Sequence, residues 1–112
     1  MHKLAIAESV ARIAGEQANG QRVTKVHMKV GHLRQVVPSA LAFSFELVIE
    51  GTPLEGAGLE MEEVPAVGKC RKCAVESRLE SFPLQCRGCG GFELEILAGE
   101  ELVVEYLELE EA

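Results

Sequence analysis

The sequence has no Trp, one Tyr and four Phe among its 112 residues. Between the cysteines the only aromatic is Phe82, too little for a platform on which nucleic-acid bases stack. No apolar run approaches the roughly 20 residues that a membrane-spanning helix needs. The start, Met-His-Lys-Leu-Ala-Ile-Ala-Glu, has Glu8 and Arg12 where a secretory signal carries its apolar stretch, so a cytoplasmic protein is expected. Residues 35–67 hold no base at all, and neither do residues 88–112. There is no phosphate-binding loop, no nucleophile activated by a neighbouring base and no acid–base pair around an open metal, so an enzyme is not expected.

What is present is a marked segregation of charge. Residues 1–34 carry six bases and two acids, and residues 35–67 carry six acids. Residues 68–87 carry five bases and two acids, and residues 88–112 carry eight acids, leaving the chain at −7. The third block also holds Cys70, Cys73 and Cys86, and Cys89 follows two residues after its end. One reading is an inserted module, about Gly68 to Gly91, within a domain made of residues 1–67 and 92–112. The other is simple charge pairing between neighbouring strands.

The hydrophobic pattern predicts a helix over residues 3–19. Ile6, Val10, Ile13 and Ala14 form its apolar face, widened by Leu4, Ala7, Ala11 and Ala18. Asn19-Gly20 stops it. Val23–Val30 alternates, with Thr24, Val26, Met28 and Val30 on one face and Lys25, His27 and Lys29 on the other, as in a half-buried strand. A second helix starts at Pro38, presents Leu41, Phe43, Phe45, Leu47 and Val48, and ends at Gly51 and Pro53. Gly58–Val64, Phe92–Leu97 and Leu102–Leu109 read as strands, the last with alternation poor enough for a central or bulged position. The expected class is α+β: two helices on a small sheet of about three strands, with an inserted four-cysteine zinc-ribbon module.

Cys70, Cys73, Cys86 and Cys89 form two Cys-x2-Cys units separated by twelve residues. Such turns each present two thiolates, and two facing turns close a tetrahedral site suited to structural zinc. Gly88, Gly90 and Gly91 would let the second turn wrap. The rival readings are two disulfides, disfavoured in a reducing compartment, and a rubredoxin-like iron site. Four thiolates and Zn2+ sum to −2, which Lys69, Arg71, Lys72 and Arg87 would offset. That sum weakens a nucleic-acid-binding role, which needs an uncompensated positive stripe.

Met1-His2 is the second feature. A retained Met would leave a free amine beside an imidazole. With the amides of His2 and Lys3 these make a nitrogen-rich chelate of the kind that suits Ni(II) or Cu(II). At the start of a helix those amides have no intrahelical acceptor to lose. His2 alone would read as a solvated terminal residue. His27 and His32 read as surface or loop residues.

Together the features resemble the HypA/HybF family: Met-His-x-Leu-x-Ile-Ala at the start, a strand ending in Val30-Gly31, an acidic helix from Pro38, and two cysteine pairs followed by an acidic strand. The resemblance implies a nickel metallochaperone for [NiFe]-hydrogenase maturation. It implies nickel ligands at the Met1 amine, His2 and the Lys3 amide, and structural zinc on Cys70, Cys73, Cys86 and Cys89. The partners implied are a HypB-type GTPase and the hydrogenase large subunit, with urease served in some organisms. The family usually has Glu where this chain has Lys3. A backbone ligand survives that change, but the added positive charge at the helix start implies weaker nickel binding. The alternative is a zinc-ribbon adaptor for protein or nucleic acid.

Overall fold

The computed structural model describes residues 2–111; Met1, Ala112 and the side chain of His2 lie outside the description. In chain order the elements are α1 (His2–Ala18), β1 (Val23–Gly31), a 3-10 turn (His32–Arg34), α2 (Pro38–Val48), β2 (Gly58–Val64), β3 (Val67–Cys70), β4 (Glu76–Arg78), β5 (Leu94–Ala98) and β6 (Leu102–Leu109). Two three-stranded sheets form, in the orders β2-β1-β6 and β4-β3-β5. The second sheet was not anticipated. Its strands β3 and β4 are too short and polar to alternate visibly. The chain forms two compact units, one of Met1–Lys29, Val36–Glu62 and Val103–Ala112, the other of Val30–Gln35 and Glu63–Leu102.

In the first unit α1 buries Ala7, Val10, Ala14 and Ala18, one stripe at helical spacing. It packs on α2, which buries Leu41, Ser44 and Phe45. β1 adds Val23, Val26 and Met28 to the buried set. The expected faces were too wide: Leu4, Phe43 and Leu47 are exposed. α1 ends as expected, with Asn19 and Gly20 at positive φ. Pro38 occupies the first turn of α2, where a missing N–H costs nothing.

β1 is the central strand, and the charge blocks explain the edges. Lys25 Nζ lies 3.0 Å from Glu60 Oε1 on β2, and Lys29 Nζ lies 3.1 Å from Glu105 Oε2 on β6. His27 reaches both neighbours: Nδ1 is 3.2 Å from Glu60 Oε2, and Nε2 is 2.5 Å from Glu108 Oε2. Its ring stacks on Tyr106 at 4.0 Å between centroids and 18° between planes. Strand-to-strand pairing therefore accounts for much of the sign segregation. His27 is no free surface residue; its side chain is only 14% exposed. β6 lies at an edge, not centrally, and its irregular alternation shows in the adjacent exposed pair Glu105 and Tyr106.

In the second unit three backbone segments crowd together. Gly31 N–H donates to Glu101 O at 2.7 Å and Leu33 N–H to Gly99 O at 2.8 Å. A Cβ on Gly31 would stand 2.0 Å from Gly99 O, and one on Gly99 2.6 Å from Ala66 Cα. Both contacts are with backbone, which cannot swing aside.

Gly31→Ala is expected to lower stability by about 2 kcal/mol or more, read as a fall in the thermal midpoint. A second expectation concerns acid. The Glu60 carboxyl is held below its ordinary 4.5, first by the Lys25 hydrogen bond, with burial opposing and the Lys25 charge adding to the fall. A depressed carboxylate stabilises the fold above its unfolded value, and that contribution disappears as pH falls through the folded value. The difference in thermal midpoint between the natural chain and Glu60→Gln should thus be largest near neutrality and shrink below pH about 4.5.

Candidate metal centre

Cys70 is the last residue of β3, held between β4 and β5 by the pairs Lys69↔Glu76 and Cys70↔Leu94. From there the chain turns, and the turn repeats at Cys86. In the first, Ala74 N–H donates to Cys70 O at 3.0 Å and Cys70 N–H to Val75 O at 2.9 Å. In the second, Gly90 N–H donates to Cys86 O at 3.0 Å and Cys86 N–H to Gly91 O at 2.8 Å. The amides inside each turn point at the first sulfur. Lys72 and Cys73 N–H approach Cys70 Sγ at 3.4 and 3.5 Å, and Gly88 and Cys89 N–H approach Cys86 Sγ at 3.3 and 3.5 Å. The two Cys-x2-Cys units are the same device twice.

All four Sγ atoms lie within 4.8 Å of one another. Cys70 and Cys89 are 3.6 Å apart and Cys73 and Cys86 3.5 Å. A disulfide needs about 2.05 Å, and all four cysteines are free, so the disulfide reading is set aside. A tetrahedron of sulfurs about 2.3 Å from a central ion has edges near 3.8 Å, so the donor set fits a single tetrathiolate metal. Among the described residues this is the one group of three or more His, Cys or Glu placed to hold an ion.

The amides tune the sulfurs. Cys70 is drawn below its ordinary 9.0 by the Cys73 N–H and then the Lys72 N–H, against burial. Cys86 is drawn down to about 6 by the Cys89 N–H, with burial opposing and the Gly88 N–H assisting. For Cys73 the Val75 N–H pulls downward, but the neighbouring Cys86 sulfur and burial outweigh it, and the thiol rises to about 11. Thiolate charge is thus favoured on the buried first cysteine of each pair, and metal entry must expel at least the Cys73 proton.

Lys69, Arg71, Lys72 and Arg87 were expected to offset the thiolates. All four are exposed, Lys72 beside Glu93 at 3.6 Å and Arg87 beside Glu80 at 3.7 Å. The hydrogen bonds to the Cys70 and Cys86 sulfurs come instead from the backbone. Ser77 escaped the sequence reading. It is buried on β4, and its Oγ accepts the Arg87 N–H at 3.2 Å, tying the second turn to the sheet. Of the three glycines only Gly90 has positive φ, at 76°; a Cβ on Gly88 would press on Val75 at 3.2 Å. The equivalent of Gly90 in the first turn is Ala74, at φ 65°.

At the other expected site, α1 begins at His2 and exposed Lys3 lies in its first turn. The amides of residues 2 and 3 are therefore free of helical acceptors. Met1 and the His2 side chain lie outside the described residues. His27 has both nitrogens against carboxylates, and exposed His32 lies 3.8 Å from Glu63.

Comparison with solved structures shows the fold first. The fold is similar to the nickel metallochaperone HypA from Helicobacter pylori, with a TM-score of 0.69, 18% identity and 96% of each chain covered. In sequence, the chain is 44% identical over 110 residues to the hydrogenase maturation factor HypA of Geotalea uraniireducens, covering 98% of this chain and all of that one. It is 40% identical over 111 residues to the same factor of a Nostoc species, covering 99% of this chain and 97% of that one. The family model for HypA, described as hydrogenase/urease nickel incorporation, metallochaperone, matches residues 1–109. The chain belongs to the HypA family of metallochaperones.

Ala74 carries a cost that its counterpart Gly90 avoids, since an L side chain disfavours the left-handed region. Ala74→Gly should stabilise the first turn by about 0.5–1 kcal/mol. Amide exchange at Ala74 and Val75 in the metal-loaded chain should slow by about two- to fivefold.

Proposed function

We propose that the chain carries Ni(II) on its first residues and delivers it to the large subunit of [NiFe]-hydrogenase, in concert with a HypB-type GTPase. The Met1 amine, His2 and the Lys3 amide are the ligands. Zinc is a structural ion on Cys70, Cys73, Cys86 and Cys89. Residues 1–67 with 92–112 serve as the nickel domain and residues 68–91 as the zinc module, in the cytoplasm. Urease is the second destination compatible with the family description. The protein binds and transfers; it catalyses nothing.

The observation that carries this reading is the start of α1 at His2 in a chain of the HypA family. Two amides can give up their protons to a metal there without breaking a helix. The opposing factor is the positive end of the helix dipole, which Lys3 reinforces. A site made of one chain end also comes apart easily, as cargo requires. The sulfur tetrahedron has no open position and holds its ion for stability.

The ion separates this reading from an adaptor role. Untagged protein should hold one zinc and take up Ni(II) in titration. His2→Ala, or an extension before Met1, should abolish nickel uptake and leave zinc in place. Lys3→Glu should tighten nickel by about two- to fivefold. Nickel uptake unaffected by blocking the amine, or absent from the native start, rejects the assignment.

A further inference from the structure

The segment between the cysteine pairs does more than connect them. Leu79 is buried, and its N–H donates to Ala66 O at 2.8 Å. At the far end Gln85 Nε2 donates to Gly90 O at 2.8 Å. Between these two anchors residues 80–85 form no strand or helix, and Phe82 stands 61% exposed. An unburied Phe forgoes roughly 1.5–3 kcal/mol of burial, and here it is held out on a pinned loop.

Its chain neighbours Ser81 and Pro83 line a cleft of about 370 Å3, together with Arg78, Glu80, Gln85 and Arg87. That volume holds a few side chains. Its walls are mainly polar and carry two guanidinium groups. Arg78 is exposed, with no ion pair among the described residues. Arg87 pairs with Glu80 at 3.7 Å, with both side chains more than 60% exposed. A pair that open contributes at most about 1 kcal/mol, so a carboxylate from outside can displace Glu80. Glu80 itself lines the cleft, so an incoming carboxylate competes with it for Arg87.

We propose that this cleft docks a short acidic segment of a partner protein, placing a carboxylate against Arg78 and Arg87 and an apolar side chain beside Phe82. Arg and aromatic residues are the types enriched where protein interfaces concentrate their energy. The planar fork of Arg favours two-pronged carboxylate contacts. A long polyanion fits poorly: the chain carries −7, and four thiolates around a divalent ion reduce the local basic excess. A short segment feels little of that repulsion, since charges beyond about 8 Å are screened at physiological salt. The inference does not depend on the nickel site.

The test uses the full metal-loaded chain, labelled with 15N, and the blocked peptide acetyl-Leu-Glu-Glu-Leu-amide. Amide shifts are expected within residues 78–90. Arg78→Glu should weaken the peptide at least about tenfold. Arg78→Gln and Phe82→Ala should each weaken it less, with zinc content unchanged in all three. Arg12→Glu on α1 should leave it unchanged. Equal shifts from inorganic phosphate or a single-stranded oligonucleotide overturn the proposal. So do shifts outside the loop, no response at millimolar peptide, or an equal loss in Arg12→Glu.

Discussion

Everything in the cysteine unit depends on backbone N–H groups aimed at two sulfurs. Cys70 and Cys86 each accept two such bonds, at 3.3 to 3.5 Å. Those amides would otherwise face a turn with no acceptor. By stabilising thiolate they prepare the donor set before a metal arrives. β3 supplies the first turn from its end, β4 steadies the second through Ser77, and β5 covers the other edge of β3. A unit with so few buried aliphatic residues has little else to hold it, and an ion held by the four sulfurs would supply what a core this small lacks.

The other unit is built on ordinary principles. Small residues on α1 leave room for α2, and β1 is apolar toward the core. On its other face β1 is basic, and its neighbours on both sides are acidic. Each exposed pair is worth little alone. His27 changes the count, because one ring meets Glu60 and Glu108 and is covered by Tyr106. The ring serves both carboxylates as a donor only when it carries two protons.

Periodicity located α1, α2 and β1 because their buried residues recur at the spacing of the element itself. The four-cysteine cluster was equally legible, since Cys-x2-Cys is a local geometry. Long-range features were not. Gly31 reads as a strand ending, but what demands glycine there is the Gly99 carbonyl, far along the chain. β3 and β4 had no pattern because hydrogen bonds and sulfur define them more than burial does. Ala74 gave no signal, as Ala does not advertise a left-handed residue. Lys69, Arg71, Lys72 and Arg87 were expected to offset the thiolates, but the groups that reach the sulfurs are amides, which every sequence has and none displays. Phe43 and Leu47 were assigned to a buried face by spacing alone, and the packing of α2 leaves them outside.

The two turns share a hydrogen-bond pattern but not a resting shape. Gly90 is at ease where it is, whereas Ala74 is kept at φ 65° by its surroundings. The Cys70–Cys73 turn thus stores backbone strain at one residue, where the Cys86–Cys89 turn reaches the same hydrogen-bond pattern without it.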